Sequence, residues 1–501
     1  MTFEQAKKKA GGHTWWSEEC PGKMQYCYWM HGAVEQQLYF TPGLLSVCFC
    51  TVQNGYLKEK SSEQEKLQQY FWLKEQYQDD HGYIDQEHDR WMQVRNDKVA
   101  SCQEIVSHTG KWSRKQLLEQ YSRLLSLAVD SVRWGFWIEN VDVYTNNELP
   151  KKMAEVLPDM DSTERSTLTV TMCTPLIVSF MEEYRIDKYH VILNYRNELN
   201  EPTERAKKAV QSFHMQYRYI SVNYGGSPPL TEEDIWREIL EDAATHTDEE
   251  LKQEIDDIED KIDRVAAQQS ALEEQHQFPM DLLDDFTIIR SIGAWMDERK
   301  ESMVKTSFAI WTILGAIADT TGIPKSELEW YTVEEIKALL RDDTCIPAEQ
   351  IQERNHNSVI ASEFDGKEGS DITFFTGSEA DELSALLNAG NTDVLEGIVA
   401  SAPDAAGAVF AGTVQIVTDI EKEDFEAGNI LVTSMTRPDF MPLMKKAAAI
   451  ITNEGGMTCH AAIVARELGI PCIIGTKYAT ETLRNGDTAA MNMETGEITI
   501  Q

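Results

Sequence analysis

Residues 455–471 of the chain read GGMTCHAAIVARELGIP. The paired glycines predict a tight turn, because glycine adopts positive φ angles and lets the backbone approach a ligand closely. The run that follows predicts a short helix, with Thr458 as its N-cap and with Gly469 and Pro471 ending it. His460 is therefore expected in the first turn of that helix, where backbone N–H groups and the helix dipole favour an anion.

The residues alone leave two interpretations of His460 open. It is either a capping or hydrogen-bonded polar group, which is the ordinary role of a histidine after a glycine turn, or a nucleophile that carries a phosphoryl group. Imidazole suits the second role, because it is nucleophilic near neutral pH and its N-phosphoryl adduct readily passes the group on.

The segment from Gly455 to Arg466 resembles the phosphohistidine signature of the phosphoenolpyruvate-utilising enzymes, such as phosphoenolpyruvate synthase, pyruvate phosphate dikinase and rifampin phosphotransferase. The resemblance implies that His460 is phosphorylated and lies on an α/β domain that swivels between two distant sites. It also implies that Thr458, besides its expected capping role, is a candidate for regulatory phosphorylation.

Several other residues are candidates for holding the phosphoryl group. Gly455 and Gly456 are expected to bring backbone N–H groups to it, and Arg437 and Arg466 are the nearest basic residues that could neutralise its charge or else form surface ion pairs.

Arg299 and Lys300 lie on a long helix predicted for residues 282–321. They are either i,i+4 partners of neighbouring acidic residues or part of an anion site for phosphate.

The length of 501 residues predicts a multidomain protein. Residues 1–350 are expected to be mostly α-helical, residues 351–399 to form a linker with a hairpin and a short helix, and residues 400–501 to form the α/β swivelling phosphohistidine domain. A small-residue loop at 400–407 is the candidate hinge. Glycine turns separate the strands predicted after it, at 408–410, 413–417, 430–433, 449–452, 472–474, 489–491 and 498–500.

The helical region suggests two kinds of contact. Residues 231–276 are predicted to form a long acidic helix whose heptad seam pairs with another helix, within the chain or across a homodimer. The many aromatic residues before position 150 either fill a core or line a pocket for an apolar or aromatic acceptor.

The composition narrows the class of protein. The net charge of −38, from 84 acidic and 46 basic residues, argues against nucleic acid or an anionic membrane as a partner. Nine cysteines without a CxxC spacing predict reduced thiols and no metal site. The N-terminus lacks the apolar core of a signal peptide, and the longest apolar run is too short to span a bilayer, so a cytoplasmic location is expected.

Two units that the family combines with this domain are not recognisable in the sequence. There is no ATP-grasp unit, and the phosphoenolpyruvate-binding barrel that follows the swivelling domain is expected to be missing, because the sequence ends at Gln501. The leading hypothesis is therefore a phosphotransferase component with no firmly bound cofactor. An ATP-grasp type partner with Mg and ATP would charge His460, and the helical region would hold a small-molecule acceptor with an aromatic or apolar hydroxyl. The alternatives are a subunit of a split phosphoenolpyruvate synthase and a non-catalytic scaffold or regulatory protein.

Overall fold

The structure is a computed structural model. It describes residues 1–11, 15–21, 47–53, 56–135, 137–222, 228–363, 371–387, 395–403, 409–417, 424–436, 440–453, 455 and 459–500. In this part of the chain, a helix-rich N-terminal region precedes a C-terminal α/β domain, which agrees with the predicted multidomain class.

The secondary structure consists of helices and strands in distinct segments. The helices are α1 Phe3–Ala10, α2 Glu63–Asp79, α3 Tyr83–Ser107, α4 Arg114–Gly135, α5 Asn140–Asn147, α6 Leu149–Val156, α7 Ser162–Cys173, α8 Phe180–Tyr195, α9 Glu204–Tyr217, α10 Glu232–Thr245, α11 Asp248–Glu259, α12 Lys261–His276, α13 Met280–Thr321, α14 Lys325–Leu328, α15 Val333–Asp342, α16 Ala348–His356, α17 Gly377–Leu387, α18 Met441–Met444, α19 His460–Leu468 and α20 Ala479–Thr482. The strands are β1 Trp15–Pro21, β2 Val47–Gln53, β3 Tyr56–Ser62, β4 Ser358–Glu363, β5 Asp371–Thr376, β6 Leu395–Glu396, β7 Ile398–Ser401, β8 Val409–Ile416, β9 Ile430–Thr433, β10 Ala449–Thr452, β11 Cys472–Ile474, β12 Thr488–Asn492 and β13 Glu497–Ile500.

An antiparallel sheet joins the two ends of the helix-rich region. Its strand order is β1-β3-β2-β4-β5 among the described residues, and β2 pairs with β4 so that Cys50 lies opposite Ile360. Phe49 packs beneath α1 and α17, whereas Cys48 packs on the other face with Trp330. Both faces are covered, which explains why β2 is a continuous apolar run rather than an alternating one.

This sheet changes the predicted boundaries. The hairpin and short helix expected at 351–399 are present as β4, β5 and α17, but they pair with β2 and so are part of a folded unit rather than a linker. The region 1–350 accordingly contains strands as well as helices. The strands come together because β2 would otherwise leave the backbone groups of one edge unpaired.

Helix α13 is the spine of the helical region. It runs for 42 residues, close to the predicted 282–321, and packs along α3 and α4. One core on this helix contains Leu314 and Tyr121, and a second contains Trp295 and Trp137. Most of the aromatic residues before position 150 in the described ranges fill these cores, which was one of the two interpretations offered for them.

The prediction of one long helix at 231–276 was wrong. The segment forms α10, α11 and α12, because Thr247 starts a new helix in which its hydroxyl and Glu250 cap each other's backbone N–H groups. The Thr-x-x-Glu spacing was the sequence signal for that break. Leu251 and Ile255 of the seam are buried against α8 in the same chain, which is the intrachain alternative.

The C-terminal domain is built on a sheet with the strand order β6-β13-β12-β8-β9-β10-β11-β7. Strands β8 to β11 are parallel, and antiparallel strands lie on both sides of them. All the strands predicted after residue 408 are present, although the first two are one continuous strand. The sheet also takes in β6 and β7, so Ala400 and Ser401 belong to a strand rather than to the predicted hinge, whose residues 404–407 lie outside the described part.

None of the helices in the described part of the chain is both long and apolar enough to cross a membrane.

Candidate active site

The position of His460 follows from a β10-α19-β11 unit. Strands β10 and β11 are parallel neighbours, and α19 crosses over between them. In such units the helix starts at the carboxyl edge of the strands, where open α/β sheets bind ligands. Ala461, Ala462 and Ala465 face the sheet, and their small side chains let the helix pack closely against it.

The backbone that leads into α19 depends on Gly455. Its φ angle is +128°, and a Cβ atom there would lie 2.8 Å from Cys459 Sγ and 3.5 Å from Ile474 Cβ. Its carbonyl oxygen lies where a Cβ on Gly475 would be 3.1 Å away. The turns after β10 and β11 therefore pack against each other through glycine backbones, as the paired-glycine motif predicted for the first of them.

We expect Gly455→Ala to slow phosphorylation of the chain roughly tenfold, because strain of about 1–3 kcal/mol would shift the start of α19. The measurement is the initial rate of ³²P incorporation from a competent phosphoryl donor. Gly428→Ala is the matched control, since Gly428 also has a positive φ, of +91°, but has nothing within 4 Å of an added Cβ. Equal rates in both variants would contradict the role of Gly455.

The N-cap of α19 is Cys459 rather than the predicted Thr458. Cys459 has the extended conformation of an N-cap, with φ −70° and ψ 161°, and His460 is the first helical residue. Thr458 and Gly456 lie outside the described residues, as does the side chain of His460. The N-cap therefore lies one residue later than predicted, and His460 is still in the first turn of the helix.

Cys459 lies next to His460 and contributes no charge near neutral pH. Burial raises the pKa of its thiol to about 11, while the backbone amides of Ala462 and Ala461 and the Arg466 guanidinium act in the opposite direction. A neutral thiol neither repels a phosphoryl group nor competes strongly as a nucleophile.

Arg466 connects α19 to the edge strand of the sheet. Its Nε donates to the carbonyl oxygen of Ala400, 2.8 Å away, and burial lowers the pKa of the guanidinium. This contact gives Arg466 a structural role, and its role in phosphoryl binding stays a prediction. The other candidate, Arg437, lies outside the described residues.

The structure does not bring Arg299 and Lys300 together. They are successive residues of α13, with Arg299 buried and Lys300 exposed to solvent. Arg299 forms an ion pair with Glu139, which directly precedes α5. Arg299 is therefore part of the interior of the helical region, on the side where α5 lies.

The C-terminal domain packs against α2 and α7 of the helical region, and Val170 of α7 contacts the apolar core of the domain. Lys477 Nζ lies 3.0 and 3.1 Å from the two carboxylate oxygens of Glu63, and Asn147 donates to the same carboxylate at 2.6 Å. Asp142 on α5 is close enough to raise the pKa of Cys459, although burial is the main cause of that shift. We call the contact of Glu63 with Lys477 the docking contact.

The docking contact could not be found from the sequence. Glu63 and Lys477 are separated by 414 positions, and each is an ordinary charged residue in its own segment. One local feature marks Lys477, which has a φ angle of +66° that side chains other than glycine adopt at a cost. Its backbone N–H donates to the carbonyl oxygen of Asn453 at 2.8 Å, which holds this conformation next to the turn before α19.

Comparison with known proteins agrees with this geometry. Residues 425–496 match the family described as PEP-utilising enzyme, mobile domain. The chain is 50% identical over 103 residues to a probable phosphoenolpyruvate synthase of Archaeoglobus fulgidus, covering 21% of this chain and 13% of that protein. It is 50% identical over 90 residues to phosphoenolpyruvate synthase of Escherichia coli, covering 18% and 11%. For phosphoenolpyruvate synthase of Pyrococcus furiosus the values are 55% over 83 residues, covering 16% and 10%.

The similarity thus spans roughly a tenth of the length of these relatives, and it covers the C-terminal domain of this chain. It contains the β10-α19-β11 unit, the glycine turn and His460 at the start of the helix. The C-terminal domain is therefore a mobile domain of the PEP-utilising enzyme family.

Proposed function

We propose that the chain is a phosphotransferase component in which His460 carries a phosphoryl group from an ATP-binding partner to an acceptor held by the helical region. The partner binds Mg and ATP at its own site. The C-terminal domain moves between the partner and the docked position against α2 and α7.

The proposed chemistry uses a ring nitrogen of His460 twice. In the first stage a P–N bond forms to the β-phosphorus of ATP as the bond from that phosphorus to the AMP oxygen breaks. Water takes the γ-phosphoryl group, so AMP and phosphate are released. In the second, an acceptor hydroxyl oxygen attacks the phosphorus and the P–N bond breaks. The hydroxyl proton passes to the imidazole nitrogen that phosphorus leaves, so the histidine is regenerated.

One observation carries the proposal. A domain of a phosphohistidine-using family is docked on helices outside the region that matches the family, because its Lys477 pairs with Glu63 of α2 and its apolar core contacts Val170 of α7. A scaffold protein would need neither that docking nor the glycine turn that shapes the helix start.

The position of the label in ATP tests the first stage. The purified chain is mixed with a candidate ATP-grasp protein encoded beside it and with ATP labelled at either the β or the γ phosphorus. We expect acid-labile, base-stable label on the chain from the β position only. Label from the γ position would contradict the release of AMP and phosphate, and no label from either would favour the scaffold alternative.

The relatives favour a second candidate, because those named above are phosphoenolpyruvate synthases. In this alternative the chain is one subunit of a split synthase, and the acceptor is pyruvate on another chain. Loss of label from His460 that depends on pyruvate and yields phosphoenolpyruvate would support it over an acceptor in the helical region.

We expect Glu63→Gln to loosen the docked position without preventing phosphorylation. The partly buried ion pair with Lys477 contributes about 1 kcal/mol, so docking should weaken about fivefold. Hydrogen–deuterium exchange of peptides covering α5 and α19 measures the change, with faster exchange expected in the variant.

Glu75→Gln is the control for this change, because Glu75 is exposed on the same helix. The charge-swapped pair Glu63→Lys with Lys477→Glu should restore slow exchange. If the peptides of the Glu63→Gln variant exchange hydrogen for deuterium no faster than those of Glu75→Gln, the docking contact does not determine the position of the domain.

A further inference from the structure

A group of buried polar side chains lies in the helical region beneath α5. It comes from α2, α3, the turn before α5, α5 itself and α13, and no member is more than 7% exposed. We call it the buried polar cluster, and its members are Lys66, Lys98, Glu139, Asn140, Trp295 and Arg299.

The cluster concentrates positive charge in an acidic protein. Glu139 forms an ion pair with Arg299, and Lys66 Nζ lies 3.6 Å from the other oxygen of the same carboxylate. Lys98 donates to Ser131 Oγ at 2.8 Å, and burial together with Arg299 and Arg95 lowers its pKa. Three of the six members are cationic and one is a carboxylate, so the electrostatic environment of the cluster suits an anionic ligand better than a cationic one.

Two side chains beside the Glu139–Arg299 ion pair have hydrogen-bonding atoms without a partner among the described residues. They are the Nδ2 and Oδ1 atoms of Asn140, and the Nε1 atom of Trp295 one helical turn before Arg299. Both residues are 1% exposed. Leaving such atoms unpaired costs about 1–3 kcal/mol each, so unpaired groups in a native interior call for a bound molecule or water.

The unpaired atoms define the chemistry of a ligand. Trp295 Nε1 and Asn140 Nδ2 are donors, and the Arg299 guanidinium of the same cluster is a third, which suits a carboxylate or another anionic group. Asn140 Oδ1 is an acceptor and suits a hydroxyl group of the ligand. A water molecule could satisfy either set, but a water molecule would add no charge to the cationic site.

The cluster also lies close to the docked C-terminal domain. Lys66 is one turn along α2 from Glu63 of the docking contact, and Glu139 is three residues before Asp142, which lies near Cys459. One turn of helix corresponds to about 5 Å. In the docked state a molecule in the cluster would therefore lie close to the part of α2 that the C-terminal domain contacts.

We propose that the buried polar cluster is the acceptor site and that its ligand is a small organic anion that also carries a hydroxyl group. The anionic group binds Arg299, Trp295 Nε1 and Asn140 Nδ2, and the hydroxyl binds Asn140 Oδ1. The assignment of the ligand as acceptor rests on the proposed function, whereas binding itself does not.

Binding to the full chain tests the site. The probes are two matched pairs, lactate against propionate and 4-hydroxybenzoate against benzoate, which separate aliphatic from aromatic ligands and each differ by one hydroxyl. We expect at least one hydroxy acid to raise the thermal midpoint more than its partner without the hydroxyl. The site is overturned if neither does, because bound water would then account for the unpaired atoms.

Trp295→Phe locates the bound probe. The variant keeps a ring but removes the unpaired N–H group, so we expect binding at least about tenfold weaker by isothermal titration calorimetry. Trp91→Phe is the matched control, because its Nε1 already donates to the carbonyl oxygen of Ser131 at 3.2 Å. Unchanged binding in Trp295→Phe would disprove the assignment, even if the probes bind elsewhere.

A third variant separates the site from the proposed function. His460→Ala should bind the hydroxy acid as tightly as the natural protein, because the imidazole is not part of the cluster. Binding without any phosphorylation of His460 would leave the site standing and disprove the phosphotransferase. Phosphorylation of His460 with no binding of either hydroxy acid would support the phosphotransferase and disprove the ligand site.

Discussion

His460→Ala is expected to reduce phosphorylation of the chain to background. The imidazole is the only group at the start of α19 assigned to attack phosphorus, and the neighbouring thiol of Cys459 is neutral near pH 7 because burial raises its pKa to about 11. The readout is acid-labile, base-stable ³²P on the intact chain after incubation with β-labelled ATP and the ATP-grasp partner.

Two further variants make this result specific to the side chain. His356→Ala removes an exposed histidine outside the C-terminal domain and should leave the label unchanged. His460→Asn keeps a polar side chain at the helix start and should also remain unlabelled. If acid-labile label persists in both His460 variants, His460 is not the residue that carries the phosphoryl group.

Asp285→Ala is expected to destabilise the helical region by about 3 kcal/mol or more. Asp285 is fully buried on α13, where it accepts hydrogen bonds from the hydroxyls of Tyr70 at 2.7 Å and Tyr144 at 2.8 Å. It also pairs with Lys74 at 2.8 Å and Lys152 at 2.5 Å. Removing the carboxylate leaves two buried hydroxyls unpaired and weakens the partnership of both lysines. Urea unfolding followed by tryptophan fluorescence measures the loss.

Asp281→Ala is the matched control, because Asp281 pairs with the same two lysines one turn earlier on α13. Its side chain is 57% exposed, so the variant should lose no more than about 1 kcal/mol. Equal losses in the two variants would show that the network acts through surface charge rather than through burial. Because Asp285 holds α2, α5 and α6 on α13, its loss should also disturb the docking contact.

Local patterns in the sequence were sufficient for the parts of the fold that local forces determine. The long helix at 280–321 and the strands after residue 408 follow from apolar periodicity and from glycine turns, and the structure confirms both. The break at Thr247 had a capping signal that the heptad seam of apolar residues concealed. In that segment the hydrogen bonds of the Thr247 cap start a new helix, although the apolar heptad pattern continues across the break.

Features that depend on distant segments could not be predicted. Nothing in β2 indicates that its partner β4 lies some 300 residues later, since a strand buried on both faces shows no alternation to set its register. The charged candidates illustrate the same limit, because Arg299 and Lys300 are adjacent in sequence but lie one inside and one outside α13. The two residues differ in burial, which depends on how the helices pack and cannot be read from adjacent positions in the sequence.

The sequence by itself determined the glycine turn, a short helix with His460 in its first turn and the family of the domain that carries it. These follow from backbone conformations and apolar spacing within about twenty residues. Only the tertiary structure decided where the C-terminal domain docks, because Glu63 and Lys477 meet through the packing of two separately folded regions. The buried polar cluster likewise exists only after α2, α3, α5 and α13 have excluded water from charges that are ordinary surface residues in the linear chain.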